Sequence, residues 1–440
     1  MSRRRALAEH LMLALALIAP LRAHGEDLLE VYATARRADP VLSSAEATRQ
    51  VVGEDVVQAR STLLPQLSAG FDITDNHVSG DNDDGTTGRY RSRNVNANLS
   101  QVLVDVSRFA RLDAAHARAE AQDAIYRSAE QALIIRVATA YFDVLLAADN
   151  LQTAQANEDA YRQQVDQADQ RYRNGLAAQV DLEQARSYFS AARSSTIANR
   201  KIVDDARDAL AEITGVAPGA LKALREALPM NPPSPADPAQ WVDVALQANP
   251  VLRAQQRTIA AAESSISAAR ATRLPVVSAG VNVGRGASWP NVSSAYDGRT
   301  VTSVGINVSV PLFTGGLISS QVRQAAAVRD GARDDLEAQR RQIVRATQER
   351  YRSVIAGIDQ TVAARESVDS AQKALASTRV GLGLGTQTMT DLLLAIRTLT
   401  AAQTDYSQSR HQFVLGRLLL LQAAGTITES DLVSVNALLR

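Results

Sequence analysis

The 440-residue sequence predicts an α+β membrane protein in which each chain gives four short strands to a shared transmembrane β-barrel and long helices to a tube joined to it. Three observations carry that expectation. Landmarks recur at a constant offset of 210 positions, four segments alternate strictly between apolar and polar residues, and two stretches of about 65 residues keep helical spacing.

Composition narrows the options first. Forty-seven basic and 47 acidic residues cancel, so no global charge points to nucleic acid. The absence of cysteine removes disulfides, thiolate metal sites and cysteine nucleophiles. Aromatics make up 4% and alanine dominates the apolar residues, which suggests elements packed closely edge to edge with no thick core. At the N-terminus, Ser2-Arg3-Arg4-Arg5, the apolar run Leu11 to Pro20 and the small residues of Ala23-His24-Gly25 read as a cleavable signal peptide, residues 1–25. No later apolar run is long and uninterrupted enough for a transmembrane helix, so a membrane span must be made of strands.

The duplication is explicit. Asp39-Pro40-Val41-Leu42 recurs as Asn249-Pro250-Val251-Leu252, and Leu64-Pro65 with Ser68-Ala69-Gly70 recurs as Leu274-Pro275 with Ser278-Ala279-Gly280. Tyr141, Gly175, Asp181 and Gly215 match Tyr351, Gly385, Asp391 and Gly425 in the same register. The first repeat therefore covers 26–215 and the second 241–425, with a C-terminal segment at 426–440. Between the repeats, 216–240 is rich in proline (Pro229 to Pro238), a density that excludes helix and central strand and reads as a linker.

Each repeat reads as helix, strand, strand, long helix, turn, helix. A first helix, Val41 to about Thr62, stops before Pro65. Strands follow at about 66–75 and 91–102, then at about 276–286 and 301–312. Leu67, Ala69, Phe71 and Ile73 share one face, with Ser68, Gly70, Asp72 and Thr74 on the other; Val304, Ile306, Val308 and Val310 alternate with Ser303, Gly305, Asn307 and Ser309. Polar loops at His77 to Gly88 and Ser288 to Arg299 join the paired strands.

Beyond each strand pair the period changes. Apolar or small residues at Leu112, Ala115, Ala119, Gln122, Tyr126, Ala129 and Leu133 resume at Val137, Ala140, Val144, Ala147, Leu151 and Ala154, a heptad with one stutter. Long helices at 103–173 and 314–380 result, each about 100 Å long, with returning helices at 181–213 and 391–422.

In hydrocarbon an open sheet leaves N–H and C=O groups unpaired, so the barrel must close. Four strands cannot close alone and eight leave an interior just filled by side chains; three chains give 12, enough for an aqueous lumen lined by the Ser, Asn, Asp and Gly face.

Taken with the repeat, several stretches resemble landmarks of the TolC family of outer-membrane efflux proteins. They are the duplicated Leu-Pro before the strands, Tyr141-Phe142-Asp143-Val144-Leu145, Arg171-Tyr172-Arg173-Asn174-Gly175, Pro311-Leu312-Phe313-Thr314-Gly315-Gly316 and Leu382-Gly383-Leu384-Gly385. The resemblance covers essentially the whole mature chain. It implies a homotrimer whose 12-stranded barrel in outer-membrane lipid is continuous with a periplasmic α-helical barrel. It also implies partnership with a periplasmic adaptor (membrane fusion protein) and an inner-membrane transporter in efflux or type I secretion. A soluble periplasmic coiled-coil adaptor is the competing class, and it has no need of four alternating strands.

No catalytic constellation is visible. His77, His116 and His411 lack metal-ligand spacing, and Gly381 to Gly385 has no following Lys-Ser/Thr, so neither a metal, a cofactor nor an enzyme activity is expected. Asp181 and Asp391 each follow a tight turn and open a helix, a place where Asp commonly caps. The resemblance instead puts a periplasmic constriction here, where three copies of Asp391 form an acidic ring. Gln387 and Leu382 stand where well-studied relatives carry an Arg and a Tyr, and Leu394 replaces a second acid, which implies a tip that is less cation-selective or latched differently. The turns at Gly175-Leu176 and Gly385-Thr386 are candidate adaptor contacts.

Overall fold

A computed structural model describes residues 25–78, 88–289 and 298–440. The signal segment and most of both strand-connecting loops named above lie outside the described residues. In chain order the elements are α1 (Leu28–Ala38), α2 (Pro40–Ser61), β1 (Gln66–Val78), β2 (Gly88–Val104), α3 (Val106–Arg173), α4 (Gln179–Thr214), α5 (Pro238–Ala248), α6 (Pro250–Ala271), β3 (Val276–Trp289), β4 (Thr300–Ser309), α7 (Leu317–Leu384), α8 (Met389–Ala423) and α9 (Glu429–Asn436).

The repeated Asp39-Pro40 and Asn249-Pro250 pairs start α2 and α6. The Asp39 carboxylate accepts from the Leu42 N–H and the Asn249 amide oxygen from the Val251 N–H, while each proline takes the first helical position, where no N–H is needed. Asp105 caps α3 by accepting from the Ser107 and Arg108 N–H groups, so that helix starts at Val106 and not at 103. The start of α7 shifts from 314 to Leu317 because Gly315 and Gly316, at φ 59° and 86°, turn the chain into it. The same helix runs through Gly381 and Gly383 to Leu384, past the expected stop at 380. Both α3 and α7 are 68 residues long.

The strands make one antiparallel sheet in the order β1-β2-β3-β4. Leu67, Leu99, Val281 and Val304 line up across it, and one residue along on the opposite face Ser68, Asn98, Asn282 and Ser303 do the same. One apolar face and one polar face therefore extend over all four strands. β1 and β3 continue to Val78 and Trp289, beyond the 75 and 286 expected. β4 stops at Ser309 where a strand to 312 was expected, because Pro311 has no N–H to give a ladder.

The barrel-side half of α3 lies between α2 and α6, and α6 also packs on α7; toward the far end α3 pairs with α4 and α7 with α8. Val41, Val51 and Val57 of α2 stay exposed.

Two features depart from the sequence expectation. First, the molecule does have a thick core, at its waist. Leu133, Ile134, Ile135, Val137, Ala138, Tyr141, Phe142, Val144 and Leu145 are buried on every side of α3. α1, α9 and strand-like bridges from Glu26 to Leu221 and from Leu224 to Leu439 join them in one core, together with α5, which repeats α1 at 210 positions and packs on α7. A helix apolar on all faces needs such a jacket. By composition this part of α3 could cross a membrane, but it is packed inside the waist. Second, Pro238 opens α5 behind an Asp237 cap, so the proline-rich stretch excludes helix only as far as residue 237.

Candidate channel path and periplasmic tip

The sheet's polar face is a channel wall. Asn94, Asn96 and Asn98 of β2 face Gly286, Gly284 and Asn282 of β3, and Ser303, Gly305 and Asn307 extend the row on β4. Gly70, Gly280, Gly284, Gly286 and Gly305 leave parts of that wall without side chains. The other face is apolar from Leu67 to Ile73 and from Val95 to Leu99, as lipid requires. At its lower rim Leu312 and Phe313 are 93% and 91% exposed.

At the opposite end, both long helices finish in one type of turn. Gly175 (φ 70°) and Gly385 (φ 77°) adopt the left-handed conformation, and the next residue bonds back across the helix end, Leu176 N–H to Arg171 O at 2.8 Å and Thr386 N–H to Gly381 O at 2.9 Å. Such a Schellman-type turn reverses the chain sharply. Gly381 is part of it: a β-carbon there would sit 2.6 Å from Gln387 Cγ. Gln387 itself is exposed, and its N–H reaches Gly381 O at 3.3 Å.

The two acids differ. Asp391 closes a capping box: its Oδ2 accepts from the Thr388 N–H at 2.8 Å and hydroxyl at 2.7 Å, while its own N–H donates to Thr388 Oγ. The Thr388 hydroxyl and N–H hold this carboxyl below the usual carboxylate range. Asp181 occupies the first turn of α4, which has no side-chain cap. The Thr390 hydroxyl donates to Gln184 Oε1 at 2.8 Å, placing the N-terminal end of α4 beside that of α8.

Sequence reading missed the residues that join the two hairpins. Tyr161 of α3 is buried and donates to Leu393 O of α8 at 3.1 Å. Burial, with Tyr188 beside it, pushes its phenol up to about 12. It packs in a small cluster with Ala168, Leu182, Leu375, Met389, Leu392 and Ile396. A signal was present: Tyr161 is the large residue seven places from both Ala154 and Ala168 on an alanine seam. Among the described residues no group of three or more His, Asp or Glu is placed to hold a metal ion.

The outer membrane efflux protein family matches this chain twice, over residues 31–216 and 241–426. The outer membrane protein TolC of Vibrio cholerae is 32% identical over 416 residues, 94% of this chain and 93% of that protein. The alkaline protease secretion protein AprF of Pseudomonas aeruginosa is 29% identical over 421 residues, 93% of this chain and 86% of AprF. The crystal structure of the outer membrane protein VceC from Vibrio cholerae shares the fold at a TM-score of 0.76 and 21% identity, over 90% of this chain and 96% of that one. The four strands are thus one third of a 12-stranded barrel in the outer membrane, and the helices its periplasmic continuation. The chain belongs to the outer membrane efflux protein family, and its trimer is an exit duct across the periplasm and outer membrane.

Proposed function

We propose that the duct is a passive conduit and not an enzyme, loaded at its helical tip by an inner-membrane transporter through a periplasmic adaptor that grips the turns at Gly175-Leu176 and Gly385-Thr386. The supporting observation is apolar surface at the tip. Tyr172, Leu176, Val180, Val380 and Leu384 are exposed around the two turns, Leu176 at 70%. An apolar cluster on a water-facing end favours a protein partner. Asp391, Asp181 and Gln387 line the constriction in this reading, three copies of each. The neighbouring N-terminal ends of α4 and α8, and the Thr388 bonds that lower the pKa of Asp391, support it.

Photo-cross-linkers at Leu176 and Thr386 should trap an adaptor in cells; products confined to the trimer would rule out the grip. In planar bilayers, Asp391→Asn should reduce cation preference. An unchanged reversal potential would leave Asp391 as a helix cap alone.

A further inference from the structure

Above the apolar band the outward face of the sheet changes character. Strand alternation that sends Val95, Ala97 and Leu99 outward sends Arg93, Arg91 and Arg89 outward farther up β2. On β3 the same face carries Arg285 and, two positions on, Ala287 and then Trp289. Among the described residues this upper outward surface holds four arginines and one acid, Asp75, a net of three positive charges per chain. Arg89 and Arg91 approach Asp75 at 3.9 and 3.7 Å, and Arg93 lies 6.0 Å from the Trp289 ring centre. Arg93 and Arg285 are diagonal neighbours, about 7–8 Å apart at the backbone, with no acid between them. On β4 the corresponding outward residues are Thr300 and Thr302, so the charge is confined to a patch centred on β2 and β3.

Cations on a lipid-facing surface are costly in hydrocarbon and nearly free at the interface. The patch, with its interfacial tryptophan, therefore marks the headgroup level of the outer leaflet. Four clustered guanidiniums repel one another there unless anions sit among them, and planar guanidinium forks match phosphate oxygens. We infer that Arg89, Arg91, Arg93 and Arg285 form a binding site for the phosphorylated headgroup of an outer-leaflet lipid, with three equivalent sites around the trimer. Trp289 packs beside the sugar or acyl shoulder of that lipid, and Asp75 holds Arg89 and Arg91 in place while weakening the site.

The test uses the intact trimer in detergent, diphosphorylated lipid A as probe and native mass spectrometry as readout. Up to three lipids per trimer should be retained, and dephosphorylated lipid A should be retained about tenfold less. Replacing the four arginines together (Arg89→Gln, Arg91→Gln, Arg93→Gln, Arg285→Gln) should cause a similar loss, and Asp75→Asn should raise retention. Asp75→Asn decides the matter if the fourfold variant does not assemble. Unchanged retention in the fourfold variant, equal retention of the dephosphorylated lipid, or no gain in Asp75→Asn overturns the site. Displacement by excess inorganic phosphate alone overturns the lipid assignment.

Discussion

His411 and Asp39 show how single residues set the stability of the waist. His411 is almost wholly buried on α8, its Nδ1 2.8 Å from Ser407 O and its ring edge-on to Phe142 at 6.1 Å; its Nε2 has no partner. Burial holds its pKa below the ordinary value; the Ser407 carbonyl and Asp149 act in the opposite sense, and Arg410 adds to the lowering. The unfolded chain then takes up a proton near pH 6.5 that the folded chain refuses, so stability falls as pH drops through and below that value. The thermal midpoint of the trimer should be lower at pH 5 than at pH 7.5, and His411→Gln should flatten the difference. Asp39 caps α2 and accepts from the Arg136 guanidinium at 3.1 and 2.6 Å. Burial opposes its charge, yet Arg136 and the Leu42 N–H keep its carboxyl below the usual range. Asp39→Ala removes a cap and strands Arg136, so it should cost about 2–4 kcal/mol, measured by denaturant titration.

Among the elements, the strands were legible because their two faces differ at every step: Leu67 against Ser68, Ile306 against Asn307. Helix limits were less so, since Asp105, Gly316 and the tolerated Gly381 and Gly383 act through local geometry that periodicity does not record. The waist escaped notice because α1, α5 and α9 are short and far apart in the chain, and only the fold gathers them into one core with Leu133 to Leu145. At the tip, the duplicated glycines exposed the turns, whereas the Tyr161 link depends on which carbonyl lies opposite. The repeat reaches further than one chain. Leu67 pairs with Leu99 as Val277 pairs with Val308, so β1 maps on β3 by 210 positions and β2 on β4 by 209. Carrying the β2–β3 pairing of Ala97 with Val283 and Leu99 with Val281 through that mapping sets Ile306 against the neighbouring protomer's Ile73 and Val308 against its Phe71. In this cysteine-free chain, Ile306→Cys with Ile73→Cys should cross-link protomers, while Ile306→Cys with Asp72→Cys, on the opposite face, should not.

For the whole molecule, two polar links within each chain join the hairpins near the tip, Tyr161 to Leu393 O and Thr390 to Gln184, while residues 387 and 382 are Gln and Leu. Removing both, with Tyr161→Phe and Gln184→Ala, should let the two hairpins part and raise single-channel conductance. Unchanged conductance would assign closure to contacts between protomers.

The waist also bears on how such a chain is made. The Leu28 N–H bonds to Asn436 Oδ1, 408 positions away, and Leu432 and Leu439 complete the jacket around α3. Contacts this remote in sequence are slow to form. A polypeptide threading through a translocon cannot assemble its girdle until its last segments emerge, so it stays slack throughout transit and tightens only on the far side.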